Sequence, residues 1–241
     1  AKSSSSIIEP EVASELHNYV TGIASMYRDT PFHNFEHASH VTMSVTNLLS
    51  RVSNATNDND EDADKELNGF ANTINSDALA QFAIIFYALI HDVDHPGLPN
   101  ATLVKEGTDI AKLYDYKSVA EQNSVDLAWN LLCDDKYSKL RETIYATEAE
   151  KKRFRQLVIN SVMATDIVDK ELKVLRNARW DTAFKESNGG EVSEMDNTNR
   201  KATIVIEHLI QASDVSHTMQ HWHVYQKWNE RFFIECYQAY K

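Results

Sequence analysis

Six apolar residues, Ile84, Ile85, Phe86, Ala88, Leu89 and Ile90, run almost unbroken into His91-Asp92-Val93-Asp94-His95, and the pattern stops at Pro96-Gly97. The apolar run reads as a helix buried in the core, and the Pro-Gly pair as its break. Two imidazoles and two carboxylates therefore arrive at the mouth of a buried element, where unpaired polar groups are costly. A metal ion relieves that cost by taking neutral imidazole and ionised carboxylate together. The plain alternative is a helix end dressed with solvated residues, since histidine suits a last turn in any case.

The rest of the chain must bury that helix. With 6 Gly and 4 Pro in 241 residues, turn signals are sparse and helix formers plentiful. Strand-like alternation is nowhere sustained, so the expected fold is all-α and, with no internal repeat, a single domain. A first helix is expected over about residues 11–27. A second opens after Pro31 and carries Val41, Val45, Leu48, Leu49 and Val52 on one face. Further helices are expected near residues 118–133, 136–145, 148–164, 166–184, from 201 onward, and 222–240. Residues 54–75 and 186–199, rich in Asn, Asp and Gly, read as loops. The first lacks the regular acidic positions and terminal Glu of a calcium-binding loop. Lys151, Lys152, Arg153 and Arg155 read as a solvated face, and Trp228, Phe232, Phe233 and Tyr237 as a core stripe.

Composition narrows the partners. Lys and Arg number 24 against 36 Asp and Glu, a formal charge of −12 that disfavours nucleic acid and anionic lipid. An anionic substrate needs local positive charge, and bound metal ions are one source. Two cysteines, Cys133 and Cys236, with no CxxC, fit a reducing compartment. No apolar run approaches the ~20 residues of a membrane span. The opening AKSSSSIIEP reads as a linker over residues 1–10, with the domain over residues 11–241. The expectation is a cytoplasmic-facing domain without direct membrane contact, carved from a longer protein with upstream regulatory or membrane-anchoring parts.

Two further histidines, His33 and His37, sit four apart in FHNFEHASHV, a spacing that places both on one helix face. Alone the pair reads equally as solvent-facing. Joined to His91, Asp92 and a distant carboxylate, it becomes a set of nitrogen and oxygen donors suited to zinc or a similar divalent ion. Asp92 could also reach a second, harder ion held mainly by water. Paired metals about 3.5–4 Å apart are a recurrent device for phosphoester hydrolysis.

HNFEH, HDVDHPG and ASDVS, in that order, resemble the catalytic-domain motifs of class I 3′,5′-cyclic-nucleotide phosphodiesterases, within the HD phosphohydrolase superfamily. The resemblance runs from about residue 32 to 233 and includes SVAEQN, ATD and QKWNERFF. It implies a compact multi-helix HD-domain fold that opens cAMP or cGMP to the 5′-monophosphate. It implies that His37, His91, Asp92 and Asp214 hold a tight metal, zinc, and that Asp92 also touches a second, magnesium or manganese. A hydroxide between the metals is then the nucleophile, and His33, cationic before transfer, protonates the departing 3′ oxygen. His95, Glu121 and Asp166 are implied to orient waters and ligands. His217 stands where some members contact the purine. Asp94 is read as a neighbour, and His17, His40, His208, His221 and His223 as surface or core histidines.

The chain departs from the family pattern in places. Phe32 replaces a usual Tyr beside His33, and Gln122-Asn123 follow Glu121 in place of Asn-His. The family's purine-holding Gln and Phe are expected beyond Lys241, leaving this segment short of that part of the pocket. Two rival readings are a triphosphohydrolase with the same donor set, and a regulatory module without catalysis.

Overall fold

The computed structural model describes residues 8–55, 72–184 and 194–241. Among the described residues there are eleven α-helices bounded at both ends, a further helical stretch over residues 72–75, two 3₁₀ turns and no strand. In chain order the helices are α1 (Pro10–Met26), α2 (Phe35–Ala55), α3 (Ala78–Ile90), α4 (Asn100–Lys105), α5 (Asp109–Leu113) and α6 (Val119–Leu132). They continue as α7 (Ser138–Ile144), α8 (Glu148–Met163), α9 (Lys170–Phe184), α10 (Glu194–Asp214) and α11 (Trp222–Tyr240). The 3₁₀ turns are Asp135–Tyr137 and Ser216–Met219.

The apolar run forms α3, the central element. Its N-terminus is capped by Asp77, whose side chain accepts from the Ala80 amide at 3.0 Å. Ala83, Ile84, Phe86, Tyr87, Ala88 and Ile90 are all buried, too many for one stripe, because α2 and α8 cover it from different sides. Burying each large side chain contributes about 1.5–3 kcal/mol. Long-range tyrosine bonds accompany that packing: Tyr27 Oη donates to the Leu89 carbonyl at 2.8 Å, Tyr87 Oη to Ile206 at 3.0 Å and Tyr19 Oη to Ala128 at 3.0 Å. α10 packs across α2, α8 and α9, and α1 packs on α6 and α7. The ends of α3 and α10 thereby meet the start of α2.

Several boundaries differ from expectation. The first helix starts at Pro10, inside the expected linker, where a proline at the first helical position loses no hydrogen bond. α10 starts at Glu194, inside the expected 186–199 loop. The expected helix over 166–184 begins only at Lys170. Asp166 Oδ1 accepts from the amides of Val168 (3.2 Å) and Asp169 (3.0 Å), holding a turn, and Asp169 then caps α9 through the Leu172 amide at 2.9 Å. The aromatic stripe of α11 is core only at Trp228. Phe232, Phe233 and Tyr237 are 45%, 67% and 51% exposed. Of the expected loop over 54–75, residues 54–55 instead end α2 and residues 72–75 are helical, while 56–71 lie outside the described residues.

Candidate metal and acid site

At the end of α3 the chain turns tightly, with the Val93 amide bonded to Ile90 and the His95 amide to Asp92. Asp94 has φ 61° and Gly97 φ 71°, so the turn passes twice through the left-handed region. His91 is held rigidly, because its Nδ1 meets the Ala88 carbonyl at 2.9 Å within α3. That bond puts a proton on Nδ1, so a neutral His91 would present its Nε2 lone pair to a metal.

His37 stands in the first turn of α2, which Asn34 caps by accepting from the His37 amide at 3.1 Å. His33 precedes the helix, so the expected sharing of one helix face is corrected. The two rings lie 6.1 Å apart and nearly perpendicular. Asn34 serves as the helix cap instead, donating back to the Thr30 carbonyl at 2.8 Å, and this turn sets His33 apart from His37.

Asp214 closes α10 and meets the other three. His37 Nε2 lies 2.9 Å from Asp214 Oδ1 and 3.6 Å from Asp92 Oδ2. His91 Nε2 lies 3.1 Å from Asp92 Oδ2 and 3.5 Å from Asp214 Oδ1. One donor atom from each of the four falls within 4.8 Å of the others. The two rings are buried, and His91 Nε2 makes no hydrogen bond despite its carboxylate neighbours. His37 Nε2 and Asp214 Oδ1 are within hydrogen-bonding distance, and two imidazoles and two carboxylates gathered on one point match a zinc-like donor set. Burial opposes a charged His91, but the Asp92 and Asp214 carboxylates outweigh it and raise its pKa well above the ordinary value. Burial likewise opposes ionised Asp92, and the surrounding imidazoles hold it well below the usual carboxylate range.

A second group, His33, Asp92 and His95, also brings donor atoms within 4.8 Å. His33 and His95 stack with centroids 3.9 Å apart. Burial and the neighbouring His33 push His95 down to about 4, and its Nδ1 accepts from the Gly97 amide at 3.1 Å. His33 behaves oppositely. Burial works against its cation, yet Asp92 and Glu235 raise its pKa above the ordinary value.

Glu235 was not legible as a site residue, although it carries much of this geometry. It is buried on α11, seven residues after Trp228, the other buried side chain of that helix. Its carboxylate takes the His33 ring Nδ1, the Phe32 amide at 2.8 Å and the His33 amide at 3.1 Å. The i, i+7 spacing of Trp228 and Glu235 was the available signal.

A cavity of about 360 Å³ adjoins the donor cluster at Asp214 and is lined by His33, His95, Asn100, Glu121, Asp166, Asp214, Glu235 and the apolar Leu98, Ile167, Val168, Val215 and Phe232. Asn100, another residue not foreseen, donates to Glu121 Oε2 at 2.8 Å and to Asp166 Oδ2 at 3.4 Å. Asp166 also accepts from Ser118 Oγ at 2.7 Å, so its oxygens are committed to holding the loop. Burial, with the Asp166 charge, pushes Glu121 up to about 7 against its bond from Asn100. His217 is not among the lining residues. Its ring packs on Phe32, which lines the cavity, at 5.3 Å and lies 6.5 Å from the His37 ring.

The family model described as 3′5′-cyclic nucleotide phosphodiesterase matches residues 32–241. The chain belongs to this family. It is 29% identical over 225 residues to a probable 3′,5′-cyclic-AMP phosphodiesterase of Caenorhabditis elegans, covering 93% of this chain and 30% of that one. It is also 29% identical over 209 residues to a human dual specificity calcium/calmodulin-dependent 3′,5′-cyclic nucleotide phosphodiesterase, covering 84% of this chain and 24% of that protein. This phosphodiesterase-family chain thus spans under a third of the length of these curated relatives. In structure it resembles the phosphodiesterase domain of a fusion protein from the choanoflagellate Salpingoeca rosetta, with a TM-score of 0.70 at 22% identity, covering 93% of this chain and 62% of that chain. That likeness confirms the all-α fold. No helix among the described residues is long and apolar enough to cross a membrane.

Proposed function

We propose that this chain hydrolyses 3′,5′-cyclic nucleotides, cAMP, cGMP or both, to 5′-monophosphates in one domain over residues 11–241. The observation that carries the reading is the meeting of two groups on one cavity. The donors of His37, His91, Asp92 and Asp214 converge on one point, Asp214 among them lines the cavity, and the Glu235-paired His33 lines it too.

These four residues would hold zinc, and Asp92 would share a magnesium or manganese whose other ligands are mainly water. When bound, such ions offset phosphoryl charge and make a water acidic enough to attack at neutral pH. The chain's own residues supply the rest. His33 Nδ1 is engaged by Glu235 and the residue lines the cavity, so Nε2–H is the ring proton left for a substrate there. As the P–O3′ bond breaks and the bond from the deprotonated water to phosphorus forms, the O3′ alkoxide takes the Nε2 proton. The proton given up by that water to solvent balances the one that recharges His33. Glu235 fixes the ring and favours its cation before transfer. His95, neutral and stacked on His33, holds that face without adding a competing charge. Glu121 and Asn100 present polar atoms to water on the far wall. Phe232, Val215, Ile167 and Val168 offer an apolar wall for a base.

Metal analysis with cAMP and cGMP turnover by the wild type, His33→Ala and Asp92→Ala tests this. The expected result is bound divalent metal and turnover in the wild type, with both variants at least ~100-fold slower. A metal-free wild type, or Asp92→Ala with unchanged turnover, overturns it. Release of polyphosphate from a nucleoside triphosphate with cyclic nucleotides left intact points to the triphosphohydrolase alternative.

A further inference from the structure

Asp94 sits at the tip of the turn after α3, between the metal-donor pair His91-Asp92 and His95. It adopts φ 61°, which asparagine and aspartate tolerate better than other side chains. Its two oxygens are used by two different segments. Oδ1 accepts from Arg28 Nε at 2.6 Å, and Oδ2 accepts from Asn123 Nδ2 at 3.1 Å. Arg28 lies just past α1, in the stretch that leads to His33. Asn123 lies on α6, two residues past Glu121.

The three segments joined at Asp94 are therefore the ones that deliver His33, the His91–His95 turn, and Glu121. Each is stiff between the joint and its site residue. From Arg28, the chain reaches His33 through a short turn closed by Thr30 Oγ1, which donates to the His33 carbonyl at 2.6 Å, and by the Asn34 bond to Thr30. From Asp94, His95 is the next residue, and its ring stacks on His33. On α6, Ser124 Oγ donates to the Val93 carbonyl at 2.8 Å, fastening the same turn one residue earlier.

We propose that Arg28, Asp94 and Asn123 form a positioning clamp that sets His33 against His95 and the reacting oxygen. None of the three lines the cavity or belongs to either donor group, and the Asp94 oxygens bond Arg28 and Asn123, so the clamp acts on the acid side of the site. The Arg28 and Asp94 side chains are 48% and 30% exposed, so the ion pair contributes little to stability. Registry is what it can supply, since displacing a reacting group by about 1 Å can lower a rate on the order of 100-fold. This inference rests on the reading of His33 as the proton donor, and its test separates the two.

The full chain, loaded with metal, is assayed on cAMP and cGMP, whose departing alkoxides need a proton. It is also assayed on bis(4-nitrophenyl) phosphate, whose departing nitrophenolate does not. Arg28→Ala and Asp94→Asn, the latter suited to the left-handed turn, are expected to lower kcat on the cyclic nucleotide about tenfold. On the nitrophenyl ester they are expected to stay within about twofold of wild type, with melting temperatures little changed. Arg28→Lys, which keeps a charge on a donor of different shape, is expected to recover part of the loss. The Arg28→Ala/Asp94→Asn double variant is expected to be no worse than either single variant, as for two groups acting through one contact.

His33→Ala must show the same split between substrates. If it slows both esters alike, the acid reading falls and the clamp falls with it. If His33→Ala splits the substrates while Arg28→Ala and Asp94→Asn slow both equally, or neither, the clamp alone is overturned.

Discussion

Glu235 and His33, 202 residues apart, are bonded twice: the Glu235 carboxylate takes both the ring Nδ1 and the backbone amide of His33. The last helix therefore fixes a side chain on the turn ahead of α2. Burial works against ionised Glu235, but the His33 cation outweighs it and holds the carboxyl below the usual range. Each partner keeps the other charged.

Replacing Glu235 by Gln keeps the shape and removes the charge. His33 then loses one of the groups that raise its pKa. As a donor it is active only when protonated, so activity falls as pH rises through its folded pKa. The variant's fall is expected at lower pH than the wild type's, with kcat down about tenfold at pH 8. A pH–rate profile from pH 5 to 9 reads both effects.

Gly97 predicts a more local failure. At φ 71° it is in the left-handed region, and a Cβ there meets Glu235 Cγ at 3.3 Å. Gly97→Ala is expected to cost about 1–2 kcal/mol from backbone strain. It should also push Glu235 off His33, so kcat drops more than the stability change alone explains. Urea denaturation and kinetics on the same preparation separate the two.

Asp214→Asn removes a carboxylate from beside two buried imidazoles, His37 and His91. Metal content is expected to fall by at least half, measured by elemental analysis after dialysis. Without metal the variant should also be destabilised by about 3 kcal/mol, because the buried imidazoles lose a partner. Chelation of the wild type should abolish turnover, and added divalent metal should restore it.

Glu121 gives a pH prediction for the metal-free protein. Its folded pKa, about 7, lies above the ordinary value of 4.5, with burial the main cause. Between those values the folded state holds the proton and the unfolded chain has lost it, so stability falls as pH rises through that window. The loss approaches about 3 kcal/mol. In Glu121→Gln that component is absent, so the variant's melting temperature should decline less than the wild type's from pH 4.5 to pH 7.5.

Much of the fold was legible because helix period and burial are local properties. Residues 222–240 were expected as one helix and form α11 (Trp222–Tyr240), and α3 was expected from its apolar run. The boundaries that moved did so for reasons of side-chain chemistry. Asp166 captured two backbone amides and broke the helix expected over 166–184. The α11 aromatics misled, because a stripe at helical spacing marks one face of a helix but not whether another helix covers it.

The candidate site divides along the same line. The sequence by itself determined the helical class and the donors at the rigid end of a core helix. His91 and Asp92 are adjacent there, and a buried imidazole beside a carboxylate has few inexpensive explanations. Only the tertiary structure decided that Glu235 pairs with His33, that Asn100 joins Glu121 to Asp166, and that His33 stands off the helix bearing His37. Those relationships depend on how α2, α3, α6, α10 and α11 pack, and periodicity within one segment carries no information about the partner that packing brings across from another.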